Sequence, residues 1–274
     1  MVRRLLLWLS AIPVALVLGV SLYAGLVKVG LARSPFAPVA AGDLAFARSA
    51  KPGLRVLFVG NSFTFRNDLP QLVQRLSGRR HRIVAVSFTA GGWQLRNFAA
   101  NRELDRLLHE VRWDVVVLQE QSQIPSFDAE YRAREFEPYV RSLADKIAGV
   151  GARPLLFQTW GYRLGDRRNL PHDTFAQMQA RVAWGYAEAA RAARASVAPA
   201  GAAWAAALSQ RPQLDLWADD GKHPNRKGSY LAACVFYATL TTGNPIGNDF
   251  TDGLSTADAR FFQRVAWNVA RSGP

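Results

Sequence analysis

The sequence predicts an α/β protein built on a parallel sheet of about five strands with helices on both faces. Three observations predict it. Short apolar runs bounded by turn residues recur from Arg55 onward. Stretches of helical length and helical periodicity separate them. Finally, Asp114-Val115-Val116-Val117-Leu118 is apolar almost throughout, as a central parallel strand buried on both faces must be. Parallel neighbours need right-handed crossovers, and these cover both faces of the sheet.

Taken in order, Arg55 to Gly60 is the first strand. Leu69 to Leu76 begins the first helix, with Asn67 or Asp68 as its cap. Arg82 to Phe88 alternates as a second strand. Trp93 to Val111 has helical character, with leucines at 95, 104, 107 and 108. Asp114 to Leu118 is the third strand, and a helix follows from Ala129 to Val150. Arg153 to Gln158 is the fourth strand, despite Pro154, which cannot donate to a sheet ladder. An alanine-rich helix spans Asp173 to Ala195, Ser196 to Ala198 is a short fifth strand, and Gly201 to Gln210 is a short helix. Lys227 to Leu240 and Thr256 to Ala270 complete the helices. No internal repeat is visible.

Composition narrows the class. Hydrophobic residues make up 49% and charged residues 20%, which excludes a disordered chain. The net charge of +13 comes from scattered arginines, the densest group being Arg79-Arg80-His81-Arg82. No zinc-finger spacing, RNA-binding aromatic motif or basic helix accompanies it, so no nucleic-acid partner is expected. Cys234 is the single cysteine, so no intrachain disulfide can form, and its apolar neighbours predict a buried, inert thiol. No pair of histidines has ligand spacing and no phosphate loop occurs, so neither metal nor organic cofactor is expected.

The amino terminus points to a membrane. Met1-Val2-Arg3-Arg4 precedes an uncharged stretch from Leu5 to Val27, about 23 residues and long enough to cross a bilayer. The leading arginines favour a cytoplasmic start and an exported body, periplasmic or extracellular. Val39-Ala40-Ala41 is a small-residue cleavage site, so an anchor and a cleaved signal both stay open. The resulting division is an anchor over 1–30, a Pro- and Gly-rich linker over 31–53, and an α/β domain over 54–274.

Two motifs carry chemistry. Val56-Leu57-Phe58-Val59-Gly60-Asn61-Ser62 runs a buried strand into a tight turn that presents a serine. Open α/β sheets build their sites at that end of a strand. Far downstream, Asp220-Gly221-Lys222-His223-Pro224-Asn225 places a carboxylate and an imidazole three residues apart. Serine hydrolysis needs a nucleophile, a base and an acid that orients the base, so Ser62, His223 and Asp220 are the candidate catalytic residues. Asp220 and Asn225 are also suited to capping the helix that follows. His81, His109 and His172 fall at element ends or in loops and read as structural.

Together these blocks resemble the SGNH (GDSL-like) hydrolase superfamily from about Arg55 to Leu240. Gly60-Asn61-Ser62 matches the family's Gly-Asp-Ser turn, with Asn61 in place of aspartate. Gly91-Gly92 matches the glycine block after the second strand. Gln119-Glu120-Gln121-Ser122 stands where the family has Gly-x-Asn-Asp, a larger departure. Asp220 to His223 matches the Asp-x-x-His block.

The resemblance implies a three-layer α/β/α sandwich and ester hydrolysis through an acyl-Ser62 intermediate, without a cofactor. It implies an oxyanion hole formed by the Ser62 and Gly92 amides and the Gln121 side chain. Gln119 is an alternative donor and Gly91 an alternative glycine. Asn61, Trp93, Gln119, Glu120 and Trp160 are candidate substrate contacts, although for Glu120 pairing with a nearby arginine is the favoured role. Trp93, Trp160, Tyr162 and Trp217 near strand ends suit stacking on sugar rings, so O-acetyl groups on an envelope or extracellular glycan are the expected substrate. A glycan O-acyltransferase with the same triad, and a non-catalytic polysaccharide-binding protein, are the alternatives.

Overall fold

The computed structural model describes Val39 and residues 41–49 and 53–272. The expected membrane segment over Leu5 to Val27 lies outside them. Among the described residues no helix is long and apolar enough to cross a membrane.

Five parallel strands form one sheet: β1 (Leu54–Gly60), β2 (Ile83–Thr89), β3 (Val115–Leu118), β4 (Arg153–Phe157) and β5 (Ser196–Ala198). Their order is β2-β1-β3-β4-β5. Val56 to Val59 of β1 lie opposite Val115 to Leu118 of β3. Every residue of β3 is buried, as its unbroken apolar run requires. Pro154 sits within β4 opposite Val116, so the fourth strand forms despite the missing amide donor.

Chain direction across the sheet reverses between β1 and β3, and such a switch point opens a crevice at the strand ends. Here the segments after β1 and β3 meet across that crevice. The amide of Gln119 donates to the carbonyl of Val59 at 2.9 Å, which extends the β1–β3 ladder to the rim.

The helices are α1 (Ala41–Ser49), α2 (Ser62–Phe65), α3 (Leu69–His81), α4 (Leu95–Ala99), α5 (Arg102–Glu110), α6 (Ala129–Glu135), α7 (Glu137–Gly149), α8 (Phe175–Ala193), α9 (Ala200–Gln210), α10 (Arg226–Thr241) and α11 (Thr256–Ser272). Helix α10 packs on α3 and α11, while α7 packs on α4 and α8, so the two layers flank the sheet. Phe236 of α10 meets Phe58 of β1 and Phe157 of β4 edge-on, with ring centroids 5.2 and 4.9 Å apart. Aromatic edges against faces are the favoured geometry in such a core. Cys234 is buried on the same helix, and burial raises its thiol pKa, which keeps the sulfur protonated.

Three expectations need correction. The linker expected over 31–53 contains α1, whose Leu44 and Ala47 are buried and whose Ala47 carbonyl accepts from Arg55 Nε at 2.9 Å. The single helix expected from Trp93 to Val111 is two helices. Asn101 breaks it by accepting from the amides of Glu103 and Leu104, an N-cap that starts α5 afresh. The helix expected from Ala129 to Val150 is also two, because Pro138 in the first turn of α7 lacks the amide needed to continue α6.

Candidate active site

Ser62 opens helix α2 directly beyond β1. Gly60 allows the chain to pass there, since a Cβ at that position would lie 2.4 Å from Thr64 Oγ1 and 2.6 Å from Gln119 Oε1. Asn61 then caps α2 by accepting from the Phe63 amide at 3.2 Å, while its carbonyl accepts from Thr64 and Phe65. The serine is therefore held at a helix start with its side chain facing the crevice.

The Asp220–His223 loop is clamped from several directions. Trp217 and Pro224 form an antiparallel bridge, and the Ala218 amide donates to the His223 carbonyl at 2.8 Å. Gly221 turns the chain with φ +67, and its carbonyl accepts from the Arg163 amide at 2.8 Å. Trp160 Nε1 donates to the Lys222 carbonyl at 3.0 Å. Asn67 Nδ2 donates to the Pro224 carbonyl at 3.1 Å and to Ser229 Oγ at 2.9 Å, which fastens the segment after Ser62 to the histidine loop. Asn225, not Asp220, caps α10, accepting from Gly228 at 3.1 Å.

This scaffold brings Ser62, His223 and Asp220 into line. Ser62 Oγ lies 2.8 Å from His223 Nε2, and His223 Nδ1 lies 2.5 Å from Asp220 Oδ2. An ionised carboxylate only accepts, so Nδ1 carries the proton and Nε2 is left to accept from the serine hydroxyl. The other carboxylate oxygen accepts from the amides of Lys222 and His223, both at 2.9 Å. Burial alone would raise the Asp220 pKa. The hydrogen bonds from the imidazole and the two amides outweigh it and hold the carboxyl down at about 2.

The remaining candidates divide between the rim and the interior. Gly91 and Gly92 occupy the centre of a turn closed by the Trp93 amide on the Ala90 carbonyl at 3.2 Å, and Gly92 has φ +71. Both glycines are exposed at the rim, and Trp93 is half-buried beside them. Gln121 is also half-buried, its Nε2 making only a long 3.4 Å contact to Gln123 Oε1.

Four expected substrate contacts are interior instead. Asn61 is 2% exposed, and its amide nitrogen is committed to the Trp93 carbonyl at 2.8 Å. Gln119 is fully buried. Its Oε1 accepts from the Asn61 amide at 2.8 Å and from Thr64 Oγ1 at 2.9 Å, and its Nε2 is held by the Glu120 carbonyl. It therefore braces the serine turn, and its amide nitrogen donates to the Glu120 carbonyl. Glu120 is fully buried among backbone donors, and among the described residues no arginine is hydrogen-bonded to it; Arg96 pairs with Glu135 at 3.0 Å. Trp160 is also fully buried, stacked on Trp204 at 4.0 Å with near-parallel rings and against Phe63 at 5.2 Å. Tyr162 and Trp217 are buried as well, each 6% exposed.

Sequence reasoning missed the supporting role of Trp160, because nothing local marks an indole that donates to a carbonyl sixty residues away. It also missed Asn67 as a tie to the histidine loop. Positive φ at Asn67 (+51) and Asp68 (+53) reflects the tight turn there, and an Asn-Asp pair before a helix is the signal that fits such a turn. A cavity of about 310 Å³ adjoins the site, lined by Asp220, Lys222, Gln123, Tyr162, Arg167 and Arg168 among others. A larger one of about 790 Å³, lined by Phe127, Tyr131, Leu170 and Trp184, contains none of the Ser62–His223–Asp220 residues.

A parallel sheet with a serine at the switch point, and an Asp-x-x-His loop delivering an imidazole to it, defines a hydrolase of the α/β/α class. Comparison with solved structures makes the family specific. A protein of Slackia heliotrinireducens assigned to the SGNH hydrolases is 30% identical, with 70% of this chain and 100% of that chain covered and a TM-score of 0.56. A DUF4886-family protein of Bacteroides uniformis shares the fold at 19% identity, with 79% and 94% covered and a TM-score of 0.63. The acetyl xylan esterase AlAXEase shares it at 15% identity, with 68% and 100% covered and a TM-score of 0.54. No protein-family model and no curated protein matches the chain. The chain belongs to the SGNH hydrolase superfamily.

Proposed function

We propose that this hydrolase is a serine esterase acting through an acyl-Ser62 intermediate. The observation that carries the reading is the unbroken line Ser62 Oγ–His223 Nε2 (2.8 Å) and His223 Nδ1–Asp220 Oδ2 (2.5 Å). Ser62 Oγ attacks the ester carbonyl while its proton passes to Nε2, and Asp220 stabilises the imidazolium that forms. Negative charge then gathers on the carbonyl oxygen, where the amides of Ser62 and Gly92 and the side chain of Gln121 serve as donors. Collapse breaks the ester bond, and the leaving alcohol takes the proton from Nε2. Water repeats the sequence on the acyl-enzyme and releases the acid, restoring the serine.

The substrate is an ester of a small acyl group, O-acetyl on a glycan being the preferred case. Support for the glycan rests on location and on Trp93, half-buried at the rim, because Trp160, Tyr162 and Trp217 are buried. For location the support is the sequence alone: Leu5 to Val27, outside the described residues, would hold the enzyme at the membrane with its catalytic domain exported.

The test uses the full-length protein with p-nitrophenyl acetate and a fluorophosphonate probe, beside Ser62→Ala and His223→Ala. Labelling at Ser62 and turnover should both fall by at least about 10³-fold in each variant. Labelling with negligible hydrolysis, relieved by a sugar acceptor, would identify an acyltransferase. Absence of labelling in the wild-type protein would replace the esterase reading with a non-catalytic, polysaccharide-binding one.

A further inference from the structure

Glu120 is a fully buried carboxyl that the proposed mechanism leaves without a task. It lies one residue beyond the brace Gln119 and one before the proposed donor Gln121. Its Oε1 accepts from the Gln121 amide at 2.5 Å, and both oxygens lie 3.2 Å from the amide of Leu95, the first residue of α4. Its own amide donates to Tyr186 Oη on α8 at 3.2 Å. The other charged groups nearby, Arg96 and Glu135, are bonded to one another.

The two amides that Glu120 binds begin or adjoin the two loops holding the proposed oxyanion donors. Leu95 follows the Gly91–Trp93 turn by two residues, and that turn is tied on its other side to Asn61 through the Trp93 carbonyl. Gln121 carries the third donor itself. The segment 119–121 therefore reaches both neighbours of the crevice. Gln119 holds the Ser62 turn, and Glu120 holds the glycine loop and the base of Gln121. Oxyanion donors act only when their spacing is set before the charge develops.

We propose that Glu120 is a positioning residue that fixes the glycine loop against the Gln121 loop, so that the oxyanion donors keep their spacing. The proposal rests on the esterase reading above. A bidentate bridge of this length needs the full glutamate stem and an acceptor oxygen at its tip, but it does not need a negative charge.

The test compares Glu120→Leu, Glu120→Asp and Glu120→Gln with the wild-type enzyme. Leucine removes the acceptor, aspartate is one methylene too short to reach both amides, and glutamine keeps both the length and an acceptor oxygen. Steady-state kinetics with p-nitrophenyl acetate and amide hydrogen exchange over residues 93–97 and 120–123 are read together. Leucine and aspartate should lower kcat about tenfold or more with KM within about twofold, and should raise exchange in both segments. Glutamine should stay near wild type in both. If whichever of the leucine and aspartate variants folds shows wild-type exchange and kcat, or if melting temperature falls while kcat holds, the proposal is overturned. If the wild-type enzyme has no esterase activity, the esterase reading fails by itself, and exchange still decides whether Glu120 couples the loops.

Discussion

The side-chain amide of Asn61 donates to the main-chain carbonyl of Trp93 at 2.8 Å, joining the Ser62 turn to the glycine loop across the crevice. Aspartate, the usual residue at this family position, has no hydrogen to give there. Asn61 is thus matched to this chain's loop, and its cap on the Phe63 amide uses the oxygen that aspartate would also supply.

Asn61→Asp should therefore weaken this enzyme although it restores the family motif. The variant places a carboxylate oxygen against a carbonyl in a buried site, a loss of about 1–3 kcal/mol. A lower melting temperature and reduced turnover are expected. Equal or higher activity in the aspartate variant would show that the Trp93 contact has no part in holding the loop.

Asp220→Asn should lower kcat by about 10²–10⁴-fold, because an amide in place of the carboxylate favours the wrong imidazole tautomer. The same variant tests the low pKa. Asp220 is held down at about 2 against an ordinary 3.8, so its share of stability is present above pH 3.8 and lost as pH falls towards 2. The gap in melting temperature between wild type and variant should be constant above pH 4 and close below it. A gap that persists unchanged to pH 2 would contradict the assignment.

Glu120 predicts the opposite trend. Burial raises its carboxyl from 4.5 to about 8, against the smaller pull of the Gln121 and Leu95 amides. Between those values the folded chain keeps a proton that the unfolded chain releases. The contribution of Glu120 is therefore full below pH 4.5 and is lost as pH rises to about 8. Melting curves from pH 5 to 9 should show Glu120→Gln gaining on the wild type as pH rises. Parallel curves would mean that Glu120 titrates as an exposed carboxyl.

Trp160→Phe keeps a ring between Phe63 and Trp204 but deletes the donor to the Lys222 carbonyl. Leaving that bond unmade should cost about 1–3 kcal/mol and loosen the His223 loop. The expected signature is a fall in kcat larger than any change in KM, with activity lost at a lower temperature than in the wild type. Unchanged kcat would assign Trp160 to the core alone.

Much of this protein was legible in the sequence for a local reason. A strand buried on both faces must be apolar throughout, as at Val115–Leu118, and an amphipathic helix must repeat its apolar face, as at Leu104, Leu107 and Leu108. The residues Ser62, Asp220 and His223 were visible for the same reason, because their chemistry is read from residue type and short spacing. Their meeting at 2.8 and 2.5 Å was decided by the tertiary structure, through Asn67, Trp160 and the Trp217–Pro224 bridge.

The tertiary structure alone also decided which polar and aromatic residues near the strand ends face the crevice. Asn61, Gln119, Glu120 and Trp160 are all chemically capable of touching a substrate, and all four are interior. Each is turned inward by a partner distant in the chain: Trp93 for Asn61, Asn61 and Thr64 for Gln119, Leu95 for Glu120, and Trp204 and Lys222 for Trp160. Residue type fixes what a side chain can bond, whereas burial depends on which remote segment packs over it. That is set only when the whole chain has folded.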